Sequence, residues 1–396
     1  METLALYGGK PVRTTLLPYA KQSINQADID AVTEVMQSDY LTTGPKISEF
    51  EQEFARRVGA KYAVAVSSGT AALHAACFAA GIGQGDEVIT TPITFAASAN
   101  CVLYVDGTPV FADIDSQTYN IDPRAIKSKI TSKTKAIIPV HFTGQPVDLA
   151  AVHDIAREHG LPVIEDAAHA VGARFNGRPI GGLSDMTIFS FHPVKHITTG
   201  EGGIVTTNEE RLYEALMLFR SHGITRAADR LSSQDSGAWY YEQQFLGYNY
   251  RITDIQAALG LSQLTRLDEF ISRRKEIVSA YNAVFKDVSG MQVPFQRESC
   301  ESSWHLYVIT LDTQALKANR KLVFQALRAE NIGVNVHYIP VYHHPYYQQL
   351  GYQRGKCPIG EDFYNRCLSL PLFPAMTDED VKDVINAVVK VIHHFS

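Results

Sequence analysis

The chain has 396 residues, of which 45 % are hydrophobic, 20 % charged and 10 % aromatic, with a formal net charge of −6. That length exceeds one simple core and favours two domains, while the acidic balance argues against a nucleic-acid partner, which needs a basic face. No stretch reaches the roughly 18 uninterrupted apolar residues of a membrane span, the start METLALYGGKPVRTT lacks a signal-peptide core, and the five cysteines form no CxxC pair, so a cytoplasmic protein with reduced thiols is expected.

From residue 60 short β-branched runs recur at 61-KYAVAVS-67, 87-EVITTP-92, 108-TPVFADI-114, 134-TKAIIPVH-141, 161-LPVIED-166, 185-DMTIFSF-191 and 203-GIVTT-207. Most are near-continuous apolar segments, the pattern of strands buried on both faces. Helical stretches separate several of them, such as 70-TAALHAACFAAG-81 and 147-VDLAAVHDIAREHG-160, the second closed by Gly160 with Pro162 beyond it. Alternating β and α elements predict an α/β fold with a mainly parallel, doubly wound sheet of about seven strands.

The character changes after residue 262. A helix pattern runs from Leu264 to Phe285, followed by 304-WHLYVITL-311, a helix near 316–329 and 332-IGVNVHYI-339. The last helix, 377-TDEDVKDVINAVVKVIHHF-395, opens on Thr377 with Glu379 and Asp380 in its capping region. The expected division is an N-terminal arm over 1–23, a large α/β domain over 24–262 and a smaller α+β domain over 263–396.

Sheets of this kind bind ligands beyond the carboxyl ends of their strands, and several predicted ends carry unusual residues. The stretch 67-SSGTAAL-73 enters a helix through Ser68, Gly69 and Thr70, where backbone N–H groups and hydroxyls form a phosphate cradle or, alternatively, a plain N-cap. The stretch 164-IEDAAHA-170 closes an apolar strand on an acidic pair. Asp166, ionised there, needs a cationic partner unless it only caps a helix. In 189-FSFHPVKHITTGEGG-203 Ser190 and Lys195 stand together before a glycine-rich turn, and 93-ITFAAS-98 brings Phe95 to the same edge.

Together these residues meet the needs of pyridoxal phosphate (PLP). Its phosphate takes a helix N-terminus and hydroxyls, its pyridine nitrogen a carboxylate, its ring an aromatic and its aldehyde a lysine. Lys195 is the candidate Schiff-base lysine, desolvated so that it acts as a base near neutrality. Rival chemistries fare poorly. The sequence 81-GIGQG-85 precedes a strand and misses dinucleotide-loop spacing, and no GxSxG elbow exists. His343–His344 and His393–His394 are adjacent pairs without zinc-site spacing, so no metal is expected.

The motifs SSGTAAL, EDAAHA, SFHPVK, TTGEGG and 247-GYNYRITDIQAALGLSQL-264, with 18-PYAKQSI-24, 37-QSDYLTTGP-45 and 335-NVHYIPVYHHP-345, run almost end to end. By them the chain resembles the DegT/DnrJ/EryC1/StrS family of PLP-dependent sugar aminotransferases of fold type I. Within it, LTTGP, SFHPVK, GYNYR and VHYIP are similar to the branch that aminates UDP-linked 4-keto-6-deoxy-N-acetylhexosamines in pseudaminic acid biosynthesis. The resemblance implies amino transfer from L-glutamate to C4 of a nucleotide-linked keto sugar. UDP-4-keto-6-deoxy-N-acetyl-β-L-altrosamine is the expected acceptor, with another UDP- or dTDP-keto sugar as the alternative.

Carried over residue by residue, the resemblance implies that Lys195 holds the cofactor and shuttles the proton, that Asp166 pairs with the pyridine nitrogen, and that His169 sits beside the ring. Phe95 takes the stacking position, and Ser68, Gly69, Thr70 and Ser190 bind the phosphate. Asn249 reaches the cofactor phosphate of a neighbouring subunit, which makes a homodimer part of the site. Tyr19, Asp39, Tyr40, Leu41, Thr42, His337, Tyr338, Ile339 and Pro340 match positions that contact the sugar nucleotide, with packing alone as the lesser alternative for Tyr338, Ile339 and Pro340. Arg220, Arg226 and Arg230 either neutralise a diphosphate or form a solvated helix face. A dehydratase branch carries histidine in place of the lysine. Lys195 therefore favours transamination, both over that chemistry and over a non-catalytic regulatory homologue.

Overall fold

A computed structural model describes residues 3–233 and 237–396. All of the seven expected runs form strands: β1 Tyr62–Val66, β2 Glu87–Thr90, β3 Thr108–Phe111, β4 Thr134–Ile138, β5 Ile164–Asp166, β6 Met186–Ser190 and β7 Gly203–Thr207. They pair in two blocks, β3-β2-β4 and β5-β6-β7-β1, joined by parallel bridges Ile137–Val163 and Val140–Asp166. Every strand but β7 runs the same way, and β7 is antiparallel to both neighbours. Parallel neighbours need a crossover, usually a helix. Between β6 and β7 the chain makes no helix, so β7 returns antiparallel, and that return carries Lys195.

The apolar runs do what their composition requires. Every residue of β6 and β7 is buried, as in a sheet covered on both faces. The first residue of β7 meets a further constraint. A Cβ on Gly203 would lie 2.4 Å from the Ser68 oxygen and 2.7 Å from the Gly69 nitrogen. Glycine lets β7 begin pressed against the head of the helix Gly69–Ala79.

One core lies under helix Pro45–Val58, where Phe50, Phe54, Phe189 and Phe191 meet edge to face at 5.1 to 6.0 Å, a favoured aromatic geometry. A second core gathers Tyr281, Phe285, Tyr307 and the apolar face of helix Asp378–Phe395. Leu4 and Leu17 are buried in it as well. Helix Leu267–Phe285 serves both: Leu267, Phe270 and Ile271 enter the first core, Ile277, Val278 and Tyr281 the second. Thr377 and Asp380 form a capping box on the last helix, as their spacing predicts.

Some elements differ from the sequence expectation. The pattern from Leu264 is not one helix, because Arg266, at φ −102° and ψ 6°, separates Asp254–Thr265 from Leu267–Phe285. The stretch 332–339 is no regular strand. It is bridged only at Ile332 and Asn335, and Cys367–Leu370 takes the place beside Tyr307–Leu311. From Asn335 to Ile339 that stretch lines a cavity. Helices Gln26–Met36, Pro45–Val58 and Glu210–Phe219 lie outside the expected runs. All five cysteines are buried and unbonded, and no helix among the described residues is long and apolar enough to cross a membrane.

Arg274 sits midway along the shared helix. Its Nη1 donates to the backbone oxygens of Trp304, His305 and Leu372 at 3.1, 3.2 and 2.9 Å, and burial lowers the guanidinium to about 9. Arg274→Met would strand three buried carbonyls. Chemical denaturation should show a loss of roughly 3 kcal/mol, whereas a loss below about 1 kcal/mol would mean that the carbonyls find other donors.

Candidate active site

The site is assembled where the parallel strands end. Beyond β1, Ser68 Oγ accepts from the Ala71 N–H at 3.1 Å and caps the helix Gly69–Ala79. The cap satisfies one donor and leaves others of the first turn for an anion, so cap and cradle are compatible. Ser190 ends β6 against this helix head. A Cβ at position 69 would stand 2.9 Å from the Ser190 Cβ, so Gly69 keeps the head bare.

Asp166 ends β5, and only 3 % of it is exposed. Its Oδ2 accepts from the Ser98 hydroxyl at 2.6 Å and its Oδ1 from the Ala168 N–H at 3.1 Å. Burial still raises the carboxyl above its ordinary value, opposed by Ser98, Ala168 and the Lys195 charge. Burial likewise lowers the Lys195 ammonium to about 8, with Asp166 opposing. Desolvation dominates for both groups.

Neutral rings surround this pair. His169 Nε2 lies 3.1 Å from the Tyr338 hydroxyl, while its Nδ1 has no partner among the described residues. Burial, and then the Lys195 charge, drive His169 well below its ordinary value. The same causes lower His337 to about 3, and its Nδ1 lies 2.7 Å from the Ser369 hydroxyl. Burial pushes the Tyr338 hydroxyl up.

A cavity of about 660 Å³ collects Ser68, Gly69, Thr70, Asp166, Ser190 and Lys195, together with Tyr19, Phe95, His169, His337, Tyr338 and Ile339. Phe95 stands at the rim, 63 % exposed, its ring 6.4 Å from that of Tyr338. The volume is within the range of small-molecule sites. Asp39, Tyr40, Leu41, Thr42 and Asn249 are exposed and do not line this cavity. Their two loops neighbour each other, since Thr42 pairs with Thr253 and Asn249 with Ser221. Pro340 is buried outside the cavity, where its oxygen accepts from the His343 N–H.

Neither reading of the arginine cluster describes Arg220. It is buried, pairs with Glu51 and donates to the Ala65 oxygen. Arg230 pairs with Glu214, and Arg226 lies over the Tyr241 ring. The cavity also contains residues that the sequence reading passed over: Thr94, Ser98, His192, Glu201, Asn335 and His344. Ser98 was within reach, as a hydroxyl three positions after Phe95 at a strand end.

PLP fits these residues. The bare helix head suits a phosphate. Asp166 is a buried carboxylate without a salt-bridge partner among the described residues, which suits a ring nitrogen that carries a proton. The Lys195 amine is depressed toward neutrality, as attachment to an aldehyde requires.

The profile described as the DegT/DnrJ/EryC1/StrS aminotransferase family matches residues 22–389. The chain is 48 % identical over 383 residues to the spore coat polysaccharide biosynthesis protein SpsC of Bacillus subtilis (strain 168), covering 96 % of this chain and 98 % of that one. Among solved structures it superposes on Helicobacter pylori PseC, an aminotransferase involved in the biosynthesis of pseudoaminic acid, with a TM-score of 0.89 and 34 % identity, over 96 % of this chain and 100 % of that one. The PLP form of the putative sugar aminotransferase Spr1654 from Streptococcus pneumoniae gives 0.89 and 31 %, over 96 % and 99 %. Likeness on that scale reaches both cores and every strand end of the cavity, so the chain belongs to the DegT/DnrJ/EryC1/StrS aminotransferase family and is a PLP-dependent sugar aminotransferase.

Proposed function

We propose that the chain transfers an amino group from L-glutamate to C4 of a nucleotide-linked 4-keto-6-deoxy sugar, UDP-4-keto-6-deoxy-N-acetyl-β-L-altrosamine, a step of pseudaminic acid biosynthesis. The observation that carries the chemistry is a depressed lysine sharing one cavity with a buried, cation-seeking Asp166. The likeness to PseC supports the choice of sugar. Five unbonded thiols are in keeping with a cytoplasmic enzyme.

Bound PLP supplies an electron sink for the carbanion of the donor. Lys195 Nζ would hold the cofactor and, when free, would carry the proton from the donor carbon to C4′ of the cofactor. Asp166 would pair with the ring nitrogen and keep it protonated. Ser68, Gly69, Thr70 and Ser190 would anchor the phosphate, and Phe95 and His169 would flank the ring. His169, neutral, adds no positive charge to compete with the pyridinium. Tyr19, His337, Tyr338 and Ile339 contact the sugar nucleotide, while Pro340 shapes the turn behind them.

Asp39 to Thr42 and Asn249 serve the site of a partner subunit in a homodimer. They are exposed and lie outside their own cavity. Tyr40 and Leu41 of the first loop, and Leu246 three positions before Asn249, are 55, 50 and 76 % exposed, and large exposed apolar groups mark interfaces.

A second reading follows from the 48 % identity to SpsC: the acceptor is a different nucleotide keto sugar that feeds a surface polysaccharide. Incubating the enzyme and L-glutamate with UDP- and dTDP-linked 4-keto sugars, with amino-sugar formation read by mass spectrometry, separates the two. The first reading expects the highest kcat/KM on the UDP-altrosamine precursor. Turnover confined to another sugar would establish the second.

The Lys195 amine must be unprotonated to capture the cofactor. Its population falls about tenfold for each pH unit below the midpoint. Capture of PLP by cofactor-free protein, followed by absorbance, should therefore quicken as pH rises and level off above about 8. Lys195→Ala should show no such capture. A profile still climbing steeply at pH 10 would contradict a depressed amine.

Mixing Lys195→Ala with Asn249→Ala, each nearly inactive alone, should restore part of the activity, because one site of each mixed dimer carries neither lesion. Mixed dimers demonstrated by tagged pull-down but without recovery would assign Asn249 to its own chain.

A further inference from the structure

The mechanism leaves a pair of buried hydroxyls unused. Ser98 and Thr94 are 1 % and 3 % exposed. Ser98 Oγ stands 2.6 Å from Asp166 Oδ2, and Thr94 Oγ1 stands 2.7 Å from Ser98 Oγ. A serine hydroxyl has one hydrogen. The short contact to the carboxylate takes it, so the Thr94 hydrogen must go to Ser98. Both donors then point the same way, and the chain ends on Asp166.

We propose that Ser98, with Thr94 behind it, is a positioning residue for amino transfer: a two-hydroxyl relay that holds Asp166 ionised and correctly turned toward the cofactor ring. The inference rests on the proposed pairing of Asp166 with the ring nitrogen. Oδ1 is held by the Ala168 N–H and Oδ2 by Ser98, so the carboxylate cannot rotate, yet each oxygen keeps a lone pair for a further donor. The segment from Thr94 to Ser98 also contains Phe95, so ring stacking and carboxylate orientation are set by the same few residues.

The other titratable groups facing Asp166 are Lys195, His141, Cys101 and Tyr338. His141 is committed to Glu165 at 2.6 Å. Burial pushes the Cys101 thiol and the Tyr338 hydroxyl up, so both stay neutral. Ser98 is the side chain that hydrogen-bonds the carboxylate directly. A donor to an anion stabilises it and weakens it as a base. Without Ser98 the proton shared with the ring nitrogen moves toward Asp166, and the ring withdraws electrons less strongly.

The test follows the visible absorbance of the bound cofactor against pH in the holoenzyme. Ser98→Ala should raise the pH midpoint by about one unit and lower kcat about tenfold, and Ser98→Thr should restore both. Thr94→Val should move the midpoint the same way by less, and it carries the test if Ser98→Ala does not fold. In an Asp166→Asn background, Ser98→Ala should add no shift. A hydroxyl with only a structural role would change the melting temperature and leave the midpoint in place. Midpoints unmoved in Ser98→Ala and Thr94→Val, while Asp166→Asn shifts its own, would overturn the relay alone. An Asp166→Asn enzyme with wild-type midpoint and rate would overturn the ring-nitrogen pairing and the relay with it.

Discussion

A charge must be kept at the buried end of a strand, and the rest of the site is arranged around that requirement. Moving an unpaired carboxylate out of water costs several kcal/mol even after relaxation. The acidic pair at the end of β5 meets this in two ways, because neighbouring strand residues point to opposite faces. Glu165 turns away and is fully buried against His141, whose Nδ1 accepts from the Val147 N–H, so that Nε2–H donates to the carboxylate. Asp166 turns into the cavity and is stabilised by hydrogen bonds from Ser98 and Ala168, with no salt bridge among the described residues. One acid serves the fold and its neighbour is left for a ligand.

The same low-polarity surroundings set the protonation of everything nearby. His169, His196, His305 and His337 are all lowered chiefly by burial, and the Lys195 charge lowers each of them further. The exclusion is mutual, since a charged imidazole would repel the lysine in turn. Lys195 is thus the group in this neighbourhood whose proton is exchangeable near neutral pH, as a proton carrier requires.

Much of this was legible in the sequence for a simple reason. Buried parallel strands are continuous apolar runs, so their ends are easy to find, and alternation with helices brings those ends to one edge. Ser68, Asp166, Ser190 and Lys195 could therefore be grouped without coordinates. What stayed hidden depends on contacts distant in sequence. Arg220 reads as one of several surface arginines until Glu51, 169 positions earlier, is seen beside it. The stretch 332–339 has the composition of a strand but bends away to line the cavity. The break at Arg266 falls inside an unbroken helical pattern. The loops with Asp39 and Asn249 are exposed and do not line the cavity.

The helix Leu267–Phe285, with one end in each core, has a consequence for how substrates are told apart. A rigid rod embedded at both ends, and pinned at its middle by Arg274 to three backbone carbonyls, resists any rotation of one half of the molecule over the other. The wall that carries Lys195 and the wall that carries His337 then keep a fixed separation. Discrimination among sugars has to come from the standing contour of the cavity, with little help from closure around the guest.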